Sequence, residues 1–404
     1  MGKPKIRFKG YEDAWEQRKF GEIVEKYEDL VETPTEGYTR LGIRSHAKGT
    51  FHSFVEKGKE LETAKMFRVA ADKFIVNITF GWEHAVAITD ENDAGKLVSH
   101  RFPQYSFNAG MVPKFFRYLI LDENFKHHLE LSSPGGAGRN RVLKLNDMLE
   151  YKMNFPSEVE QGKIAAYFDH LDHLITLHQR KCEETKSLKK YMLQKMFPEN
   201  GKCVPEIRFS GFSDAWEQRK LEEYLGVSKE KNRDESFGKD DVLSVSGEYG
   251  IVNQIEFQGR SFAGASVANY GVVEGGDVVY TKSPLKSNPY GIIKTNKGKT
   301  GIVSTLYAVY KPKNNVGAEF VQIYFELDSR MNSYMHPLVN KGAKNDMKVS
   351  DENALKGSVI FPKIDEQKAI SKYFAHLDHL ITLHQHKCDE LQKLKKFMLQ
   401  NMFV

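Results

Sequence analysis

The feature that most constrains the fold is an internal repeat with a very long period. The segment at 4–19, PKIRFKGYEDAWEQRK, returns at 205–220 as PEIRFSGFSDAWEQRK, with 12 of 16 positions identical. A second block at 167–197 returns at 373–403, with 23 of 31 positions identical. The inserts between these blocks share little sequence. Since a solenoid repeats throughout with a short period, the chain instead predicts two long units, each with a dissimilar insert in a matched frame.

The second repeated block predicts a long helix. Apolar residues recur in it at alternating spacings of four and three, beginning with Ile164, Phe168 and Leu171, and again from Ile370 in the second copy. Such a heptad stripe is typical of a coiled coil. The segment 160–197 would extend over about 57 Å at ~1.5 Å per residue. One helix cannot bury its own stripe, so we expect the two copies to pair, in either parallel or antiparallel orientation.

The two inserts predict domains of mixed α and β structure. Four apolar, β-branched runs predict strands, at 73–80, 85–89, 276–281 and 301–310. Pro156 and Pro362 would precede the long helices. The predicted fold class is α+β, with two mixed α/β domains separated by two long helices and a pseudo-two-fold internal repeat. The predicted segments are a first domain at 1–156, a first helical spacer at 157–198, a second domain at 199–362 and a second spacer at 363–404.

Composition narrows the class of protein. The 404 residues are 40% hydrophobic and 28% charged, which is ordinary for a globular protein. The sequence contains no run of 18 apolar residues, so we expect no membrane span. The N-terminal residues have no apolar stretch typical of a secretory signal. Cys182, Cys203 and Cys388 are too few for a disulfide framework, so we expect a reducing cytoplasm. The net charge of +5 permits nucleic-acid binding without requiring it.

Motifs for catalysis and cofactor binding are incomplete. The segment 297–300, KGKT, ends like a phosphate loop, but Ile293 stands where that loop needs a glycine. The segment 287–290, SNPY, lacks the second proline of the Asn-Pro-Pro-Tyr loop of adenine methyltransferases. His170 and His173 could share a helix face, but no carboxylate or cysteine completes a metal-binding set. We therefore expect a non-catalytic chain with no metal or cofactor of its own.

Segments of both inserts combine cations, hydroxyls and amides in a way that predicts contacts with DNA. Arginine and lysine can hold guanine edges or phosphates, and asparagine can pair with adenine. We expect these side chains on loops between strands, at 38–50 and 99–101 in the first insert and at 259–261 and 281–290 in the second. The candidate DNA-binding residues are Arg40, Arg44, His46, Lys48, Thr50, His100, Arg101, Arg139, Arg260, Lys282, Ser283, Lys286, Asn288, Tyr290 and Lys344.

The repeated motifs and their order resemble the specificity (S) subunits of Type I restriction–modification systems over essentially the whole chain. The matching features are AWEQRK at 14–19 and 215–220, a Phe-Pro then Glu-Gln lead-in at 155–161 and 361–367, LDHLI at 171–175, the helix endings at 192–197 and 398–403, and glycine-containing loops at 135–139 and 342–345. Each motif is weak by itself, but their combination is specific.

The resemblance implies two target-recognition domains, each binding one half of a bipartite, asymmetric site on double-stranded DNA. The repeated helices would form an antiparallel coiled coil that sets the gap between the half-sites. Two methyltransferase (M) subunits would dock on this scaffold, and two motor–nuclease (R) subunits could join. S-adenosylmethionine, ATP and Mg²⁺ would then belong to those partners and not to this chain. On the helices, Leu171, Ile175, Leu377 and Ile381 are the candidate partner-binding residues.

Two functions of other classes compete with this interpretation. A self-contained restriction–methyltransferase fragment would need the cofactor loops that the sequence lacks. A coiled-coil adaptor could instead join two protein-binding domains without contacting DNA. Salt dependence separates the adaptor from a DNA-binding protein, because binding through phosphates weakens steeply as the salt concentration rises.

Overall fold

The computed structural model describes residues 3–60, 65–135, 141–199, 201–282, 288–341 and 347–403. The chain divides into two compact units: unit 1 comprises residues 1–178 and 386–404, and unit 2 comprises residues 179–385. Each unit therefore contains one insert and one end of each long helix. The division falls within the helices, whereas the predicted segments begin and end with them, so those segment boundaries stay predictions.

Unit 1 contains short strands and helices, followed by the first half of a long helix. Its strands are β1 (Glu16–Lys19), β2 (Val24–Tyr27), β3 (Leu30–Val31), β4 (Tyr38–Ile43), β5 (Thr50–Val55), β6 (Met66–Arg68), β7 (Lys73–Val76), β8 (Val86–Ile88), β9 (Leu97–Ser99), β10 (Gln104–Phe107) and β11 (Lys152–Phe155). Its helices are α1 (Phe20–Ile23), α2 (Pro113–Leu119), α3 (Glu123–Leu131), α4 (Leu145–Leu149) and the start of α5 (Glu158–Lys195).

Unit 2 follows a similar order. Its strands are β12 (Glu217–Lys220), β13 (Leu225–Val227), β14 (Leu243–Ser246), β15 (Gly250–Asn253), β16 (Gly271–Val273), β17 (Val278–Thr281), β18 (Ile293–Thr295), β19 (Gly301–Val303), β20 (Tyr307–Pro312), β21 (Asn340–Lys341), β22 (Met347–Lys348) and β23 (Ser358–Phe361). Its helices are α6 (Gln254–Gln258), α7 (Ala318–Tyr324), α8 (Asp328–Met335) and the start of α9 (Ile364–Met402).

Two sheets have the same topology in both units. A two-stranded sheet, β1-β11 or β12-β23, joins the start of each insert to its end. A four-stranded sheet follows the order β2-β10-β7-β8 in unit 1 and β13-β20-β17-β18 in unit 2. Unit 1 adds a five-stranded sheet, β3-β6-β9-β4-β5, whereas unit 2 adds the small sheets β14-β15, β16-β19 and β21-β22. The mixed α and β content confirms the predicted fold class.

Aromatic side chains fill the core of each unit. In unit 1, Phe20 packs edge-to-face on Phe74 of the four-stranded sheet at 4.8 Å between ring centroids, and Phe125 of α3 packs on both. In unit 2, Phe320 of α7 packs against Phe361 at 5.0 Å. These rings are fully buried, and burying each one stabilises its unit by roughly 1.5–3 kcal/mol.

The long helices pair antiparallel within each unit, which answers the question that the sequence left open. In unit 1, Phe168 of α5 lies 5.8 Å from Phe403, while Asp172 contacts Lys395, earlier in α9. Residue numbers therefore rise along one helix as they fall along the other. In unit 2, the Cys182 thiol lies 3.9 Å from the carbonyl oxygen of Ile381, and Phe197 packs near Phe374.

Helix α5 has the predicted length and lies two residues earlier than predicted. The strand predicted at 301–310 is instead two strands, β19 and β20, because a turn separates them. In that turn the backbone N–H of Tyr307 donates to the carbonyl of Ser304 at 3.0 Å. The predicted loop at 38–50 is also wrong: it consists of strand β4, a tight turn at 44–49 and the first residue of β5.

Candidate nucleic-acid interface

The repeated AWEQRK motif begins a joint that connects the insert of unit 1 to its long helix. Strand β1 within that motif pairs antiparallel with β11, so that Glu16 faces Phe155 immediately before the helix. Trp15 is 1% exposed and meets the ring of Phe403 edge-to-face at 6.3 Å. The motif therefore fixes the insert to both α5 and α9.

The Glu-Gln lead-in completes this joint with buried polar contacts. The carboxylate of Glu160, in the first turn of α5, accepts two hydrogen bonds from Arg7, at 2.7 and 2.8 Å, which raise the pKa of the guanidinium. The amide of Gln161 accepts from the N–H of Val112 at 2.9 Å and donates to the carbonyl of Pro156 at 2.8 Å. A paired, hydrogen-bonded charge is tolerated in the interior because no polar atom loses its partner.

Unit 2 contains the same joint. Arg208 donates twice to the carboxylate of Glu366, both times at 2.7 Å. Gln367 accepts from the N–H of Gly317 at 2.9 Å and donates to the carbonyl of Pro362 at 2.8 Å. The repeated sequence motifs therefore form the same structural frame in both units.

An ion pair joins the two helices in each unit, but its setting differs. In unit 2, the Lys189 ammonium lies 2.5 Å from both Glu326 and Asp378. Burial by itself lowers the pKa of this lysine, but the two carboxylates outweigh burial, so the pKa is raised. In unit 1, the Lys395 ammonium lies 2.5 Å from Asp172 and 5.4 Å from the centre of the Tyr118 ring. Insert residues thus help to pair the helices in both units.

The predicted partner-binding residues lie in the helix seam. Leu171 and Leu377 are buried in the cores of their own units, Ile175 is nearly as buried, and Ile381 is half-buried. Their side chains therefore stabilise the helix pairing, and their contact with a partner stays a prediction. Among the described residues of the two long helices, α5 and α9, the exposed large apolar side chains are others, namely Val159, Leu188, Tyr191, Leu383, Leu394 and Phe397.

The β4–β5 hairpin brings together most of the DNA-binding candidates of unit 1. Arg40, Arg44, His46 and Lys48 are all exposed on it. The Arg40 side chain donates to the Ser53 hydroxyl at 2.9 Å. The fifth candidate on this hairpin, Thr50, is half-buried and donates to the carboxylate of Asp93 at 2.9 Å. The hairpin therefore offers four exposed polar side chains on one element, among them two arginines and a lysine.

Two further candidates of unit 1 follow β9. His100 and Arg101 are exposed, and the Arg101 guanidinium donates to the Thr79 hydroxyl at 3.2 Å. In the same unit, the Arg141 guanidinium lies 5.4 Å from the ring centre of Trp82, a pairing that sequence analysis missed. A stacked guanidinium keeps its in-plane N–H groups available for other acceptors.

The described candidates of unit 2 differ in accessibility. Lys282 is paired with Asp351 at 2.9 Å, Asn288 donates to the carboxylate of Asp328, and Tyr290 is buried. Arg260, by contrast, is exposed just after α6, where Gly259 ends the helix with a φ of 75°. Among these four, the accessible cation is therefore Arg260. The remaining candidates, Arg139, Ser283, Lys286 and Lys344, lie outside the described residues and stay predictions.

A groove of 840 Å³ in unit 2 was not predicted. It is bordered by both helices and by Tyr249 in the β14–β15 turn, and Lys186 and Lys297 lie at its walls. Lys294 of β18 also lines it, although this lysine is buried and burial lowers its pKa. A lysine in so short a strand carries no signal in the local sequence, because its burial depends on the helices that cover it.

Two absences hold within the part of the chain that the structure describes. No three histidine, cysteine, aspartate or glutamate side chains come together there as a metal-binding group. No helix formed by those residues is long and apolar enough to cross a membrane.

Comparison with solved structures shows which known proteins have a similar architecture. The S subunit of a Type I restriction–modification system from M. genitalium superposes with a TM-score of 0.57 at 14% identity, over 100% of this chain and 99% of that one. The chain has the fold of a Type I S subunit. The HsdS subunit from Thermoanaerobacter tengcongensis is also similar, with a TM-score of 0.49, 15% identity and 98% coverage of both chains. No protein-family model and no curated protein matches the sequence.

The contacts of the described residues explain which parts of the sequence repeat. At 14% identity, this similarity concerns the fold, so the roles of particular side chains must be argued from their own contacts. Those contacts separate a duplicated frame of joints and helices from two dissimilar inserts that carry the candidate DNA-binding residues.

Proposed function

We propose that this chain is the DNA-specificity subunit of a Type I restriction–modification complex. The observation that supports this most strongly is the S-subunit fold over the full length of the chain. The two units would each bind one half of a bipartite, asymmetric site, because the same joint supports inserts with different additional sheets. In unit 1, the exposed cations of the β4–β5 hairpin would contact the DNA. In unit 2, Arg260 and the candidates at 281–290 other than the buried Tyr290 would do so.

Catalysis would belong to the partners in this proposal. Methyltransferase (M) subunits would bind S-adenosylmethionine, and motor–nuclease (R) subunits would bind ATP and Mg²⁺. The purified chain should therefore show no methyltransferase, ATPase or nuclease activity. Turnover that a substitution in this chain abolishes would contradict the division of labour.

Exchange of one insert tests the proposal. Residues 221–356 are replaced by the corresponding domain of another S subunit, and the methylation motif is mapped in cells that also contain the M partner. One half-site should change while the other and the gap stay the same. The reciprocal exchange of residues 20–150 is the matched control and should change the opposite half. If both halves changed together in either chimera, independent reading by the two inserts would be excluded.

The same experiment distinguishes the adaptor alternative. A coiled-coil adaptor would support no motif-specific methylation with any insert. Its binding to a duplex would also lack the steep salt dependence of phosphate contacts, for which log Kd changes with log salt by about 0.9 per neutralised phosphate.

Exposed apolar pairs on the helices are suited to bind two copies of the M subunit. Leu188 and Tyr191 of unit 2 occupy the same repeat positions as Leu394 and Phe397 of unit 1, and all four are 40–53% exposed. Residues three apart on a helix lie side by side, so each pair forms one small apolar surface. A similar surface in each unit fits a partner that binds twice.

Native mass spectrometry of the complex can test this docking site. Replacing Leu188 and Tyr191 by serine should remove one M subunit of two, and replacing Leu394 and Phe397 should remove the other. Lys181→Ser and Lys387→Ser, at exposed polar positions that also correspond in the repeat, are the matched controls. Full occupancy by M in both apolar variants would exclude these surfaces.

A further inference from the structure

We propose that Arg44 reads a guanine in the half-site bound by unit 1, and that Phe51 and Gly42 position its guanidinium for that contact. This inference rests on the proposed function, since it assigns a base contact to a surface already proposed to bind DNA. It is carried by the packing of three residues on the β4–β5 hairpin.

The first step is the contact between Gly42 and Phe51. These residues are directly opposite in the antiparallel register of β4 and β5. A Cβ atom added to Gly42 would lie 2.3 Å from Cζ of Phe51, so the far end of the ring occupies the space that a side chain at Gly42 would need. The φ of Gly42 is not in the left-handed region. The glycine is therefore required for space and not for backbone conformation.

The second step is the placement of Arg44 on that ring. Arg44 lies two residues beyond Gly42, on the same face of the hairpin. Its guanidinium carbon is 5.4 Å from the centre of the Phe51 ring, and Nη1 donates to the carbonyl oxygen of Thr50. Gly42, Phe51 and Arg44 thus form a stack in which the backbone supports the ring and the ring supports the cation.

The third step is the availability of the guanidinium. Arg44 is exposed, and among the described residues its guanidinium has neither a carboxylate within 4.0 Å nor a second hydrogen bond. Arg68, on the same sheet, differs because Asp29 lies 3.4 Å from it. Arg44 therefore keeps its full charge and most of its five N–H donors for a ligand.

The fourth step is the rigidity of the turn that follows Arg44. The Arg44 N–H donates to the carbonyl of Gly49 at 2.9 Å, and the N–H groups of His46 and Ala47 donate to the backbone of residues 83 and 84, each at 2.8 Å. His46 and Ala47 both have positive φ, 61° and 49°. Such backbone persists only where the surroundings fix it, so the turn is held in place before any ligand binds.

These features suit guanine more than a phosphate. Arginine recognises guanine by two parallel hydrogen bonds to O6 and N7 in the major groove, and this needs a guanidinium whose plane is fixed. A phosphate contact needs only a nearby positive charge, which the exposed Lys48 of the same turn could supply without support. The stack on Phe51 fixes a plane and would be superfluous for a point charge.

The test uses the complex with its M partner and measures its affinity for a duplex with the mapped motif, and for duplexes in which each base pair of that half-site is replaced. Arg44→Lys keeps the charge but removes the planar fork. Gly42→Ala keeps every polar group but displaces the Phe51 ring. Both should lose discrimination at the same G·C pair, by about 5- to 150-fold. The half-site of unit 2 should be read as before, which shows that both variants are folded.

Lys48→Ala is the matched control, and it should weaken binding to all duplexes alike. Unchanged discrimination in Arg44→Lys, a uniform loss for all duplexes, or a half-site without a G·C pair would overturn the inference. If the unmodified complex showed no sequence preference, the proposed function itself would have failed, which is a different result.

Discussion

Units 1 and 2 are nearly identical in their joints and differ most in the sheets attached to them. Arg7–Glu160 and Arg208–Glu366 have the same donor atoms and almost the same distances. The four-stranded sheets also share one strand order although their sequences have diverged. The five-stranded sheet of unit 1, in contrast, has no counterpart among the described strands of unit 2.

The difference shows which interactions require particular residues. A buried ion pair tolerates little change, because removing either partner leaves an uncompensated charge. A sheet core tolerates many apolar substitutions if volume and pattern are kept. Sequence identity is therefore retained in the joints, while the four-stranded sheets keep only their topology and the added sheets differ.

Removal of a joint carboxylate should reduce stability more than any other single substitution proposed for either unit. Glu160→Ala and Glu366→Ala each leave a largely buried arginine without its bidentate partner. Each should lower the free energy of unfolding of its own unit by about 3–5 kcal/mol. Native-state hydrogen exchange should locate the loss in unit 1 for the first variant and in unit 2 for the second.

The exposed pairs of the same motif provide the control. Glu16 and Glu217 bind Arg18 and Arg219 at the surface, with both partners about half exposed. Exposed ion pairs contribute little to stability because solvent screens them, so Glu16→Gln and Glu217→Gln should be nearly neutral. If one joint variant were destabilised and the other neutral, the two joints would not be equivalent and the comparison would fail.

How much of this could be predicted from the sequence depends on the range of the interactions. The heptad stripe is local, and it located α5 to within two residues at each end. The alternation at 40–44 is local too: Leu41 and Ile43 are buried while Arg40 and Arg44 are exposed. It would have predicted β4, had the cations not suggested a loop. The Arg7–Glu160 contact joins residues 153 positions apart, so the repeat could mark those residues but not pair them.

Loss of the ion pairs between the helices should destabilise the two units less than loss of a joint carboxylate, and by different amounts in each unit. Lys189→Met leaves both Glu326 and Asp378 unpaired, whereas Lys395→Met leaves the half-exposed Asp172 without its lysine. Hydrogen bonds to charged groups contribute roughly 1.5–3 kcal/mol. Lys189→Met should therefore destabilise unit 2 by about that amount, and Lys395→Met should destabilise unit 1 by less. Hydrogen exchange of the adjoining helix turns measures both effects.

The pH dependence gives a second readout of the Lys189 contact. Because its pKa is raised in the folded state, the stabilisation is fully present below the unfolded pKa and is lost as pH rises through the folded value. The difference in unfolding free energy between Lys189→Met and the unmodified chain should therefore shrink only in strongly alkaline solution. If this difference in stability vanished near pH 7, the Lys189 ion pair would not be the cause of the lost stability.

Substitution of Lys294 should have the smallest effect on stability, and unlike the others it should be stabilising. In unit 1, the strand at the equivalent edge of the four-stranded sheet, β8, consists entirely of buried apolar residues. In β18 of unit 2, burial lowers the pKa of Lys294, so the folded state disfavours its charged form. At neutral pH this costs stability, and the cost falls as pH rises through the folded pKa towards the unfolded one. Lys294→Met should therefore stabilise unit 2 by about 1 kcal/mol, or roughly 2–4 °C in Tm.

The gain from Lys294→Met should diminish in alkaline solution, where the lysine of the unmodified chain loses its charge, and Lys294→Arg should show no gain because its charge persists. Thermal unfolding from pH 7 to 10 checks all three chains. A loss of stability in Lys294→Met would mean that the ammonium makes a favourable interaction in the groove that outweighs its burial. Unit 2 would then differ from unit 1 at this edge by a stabilising charge, and the comparison would have to be revised there.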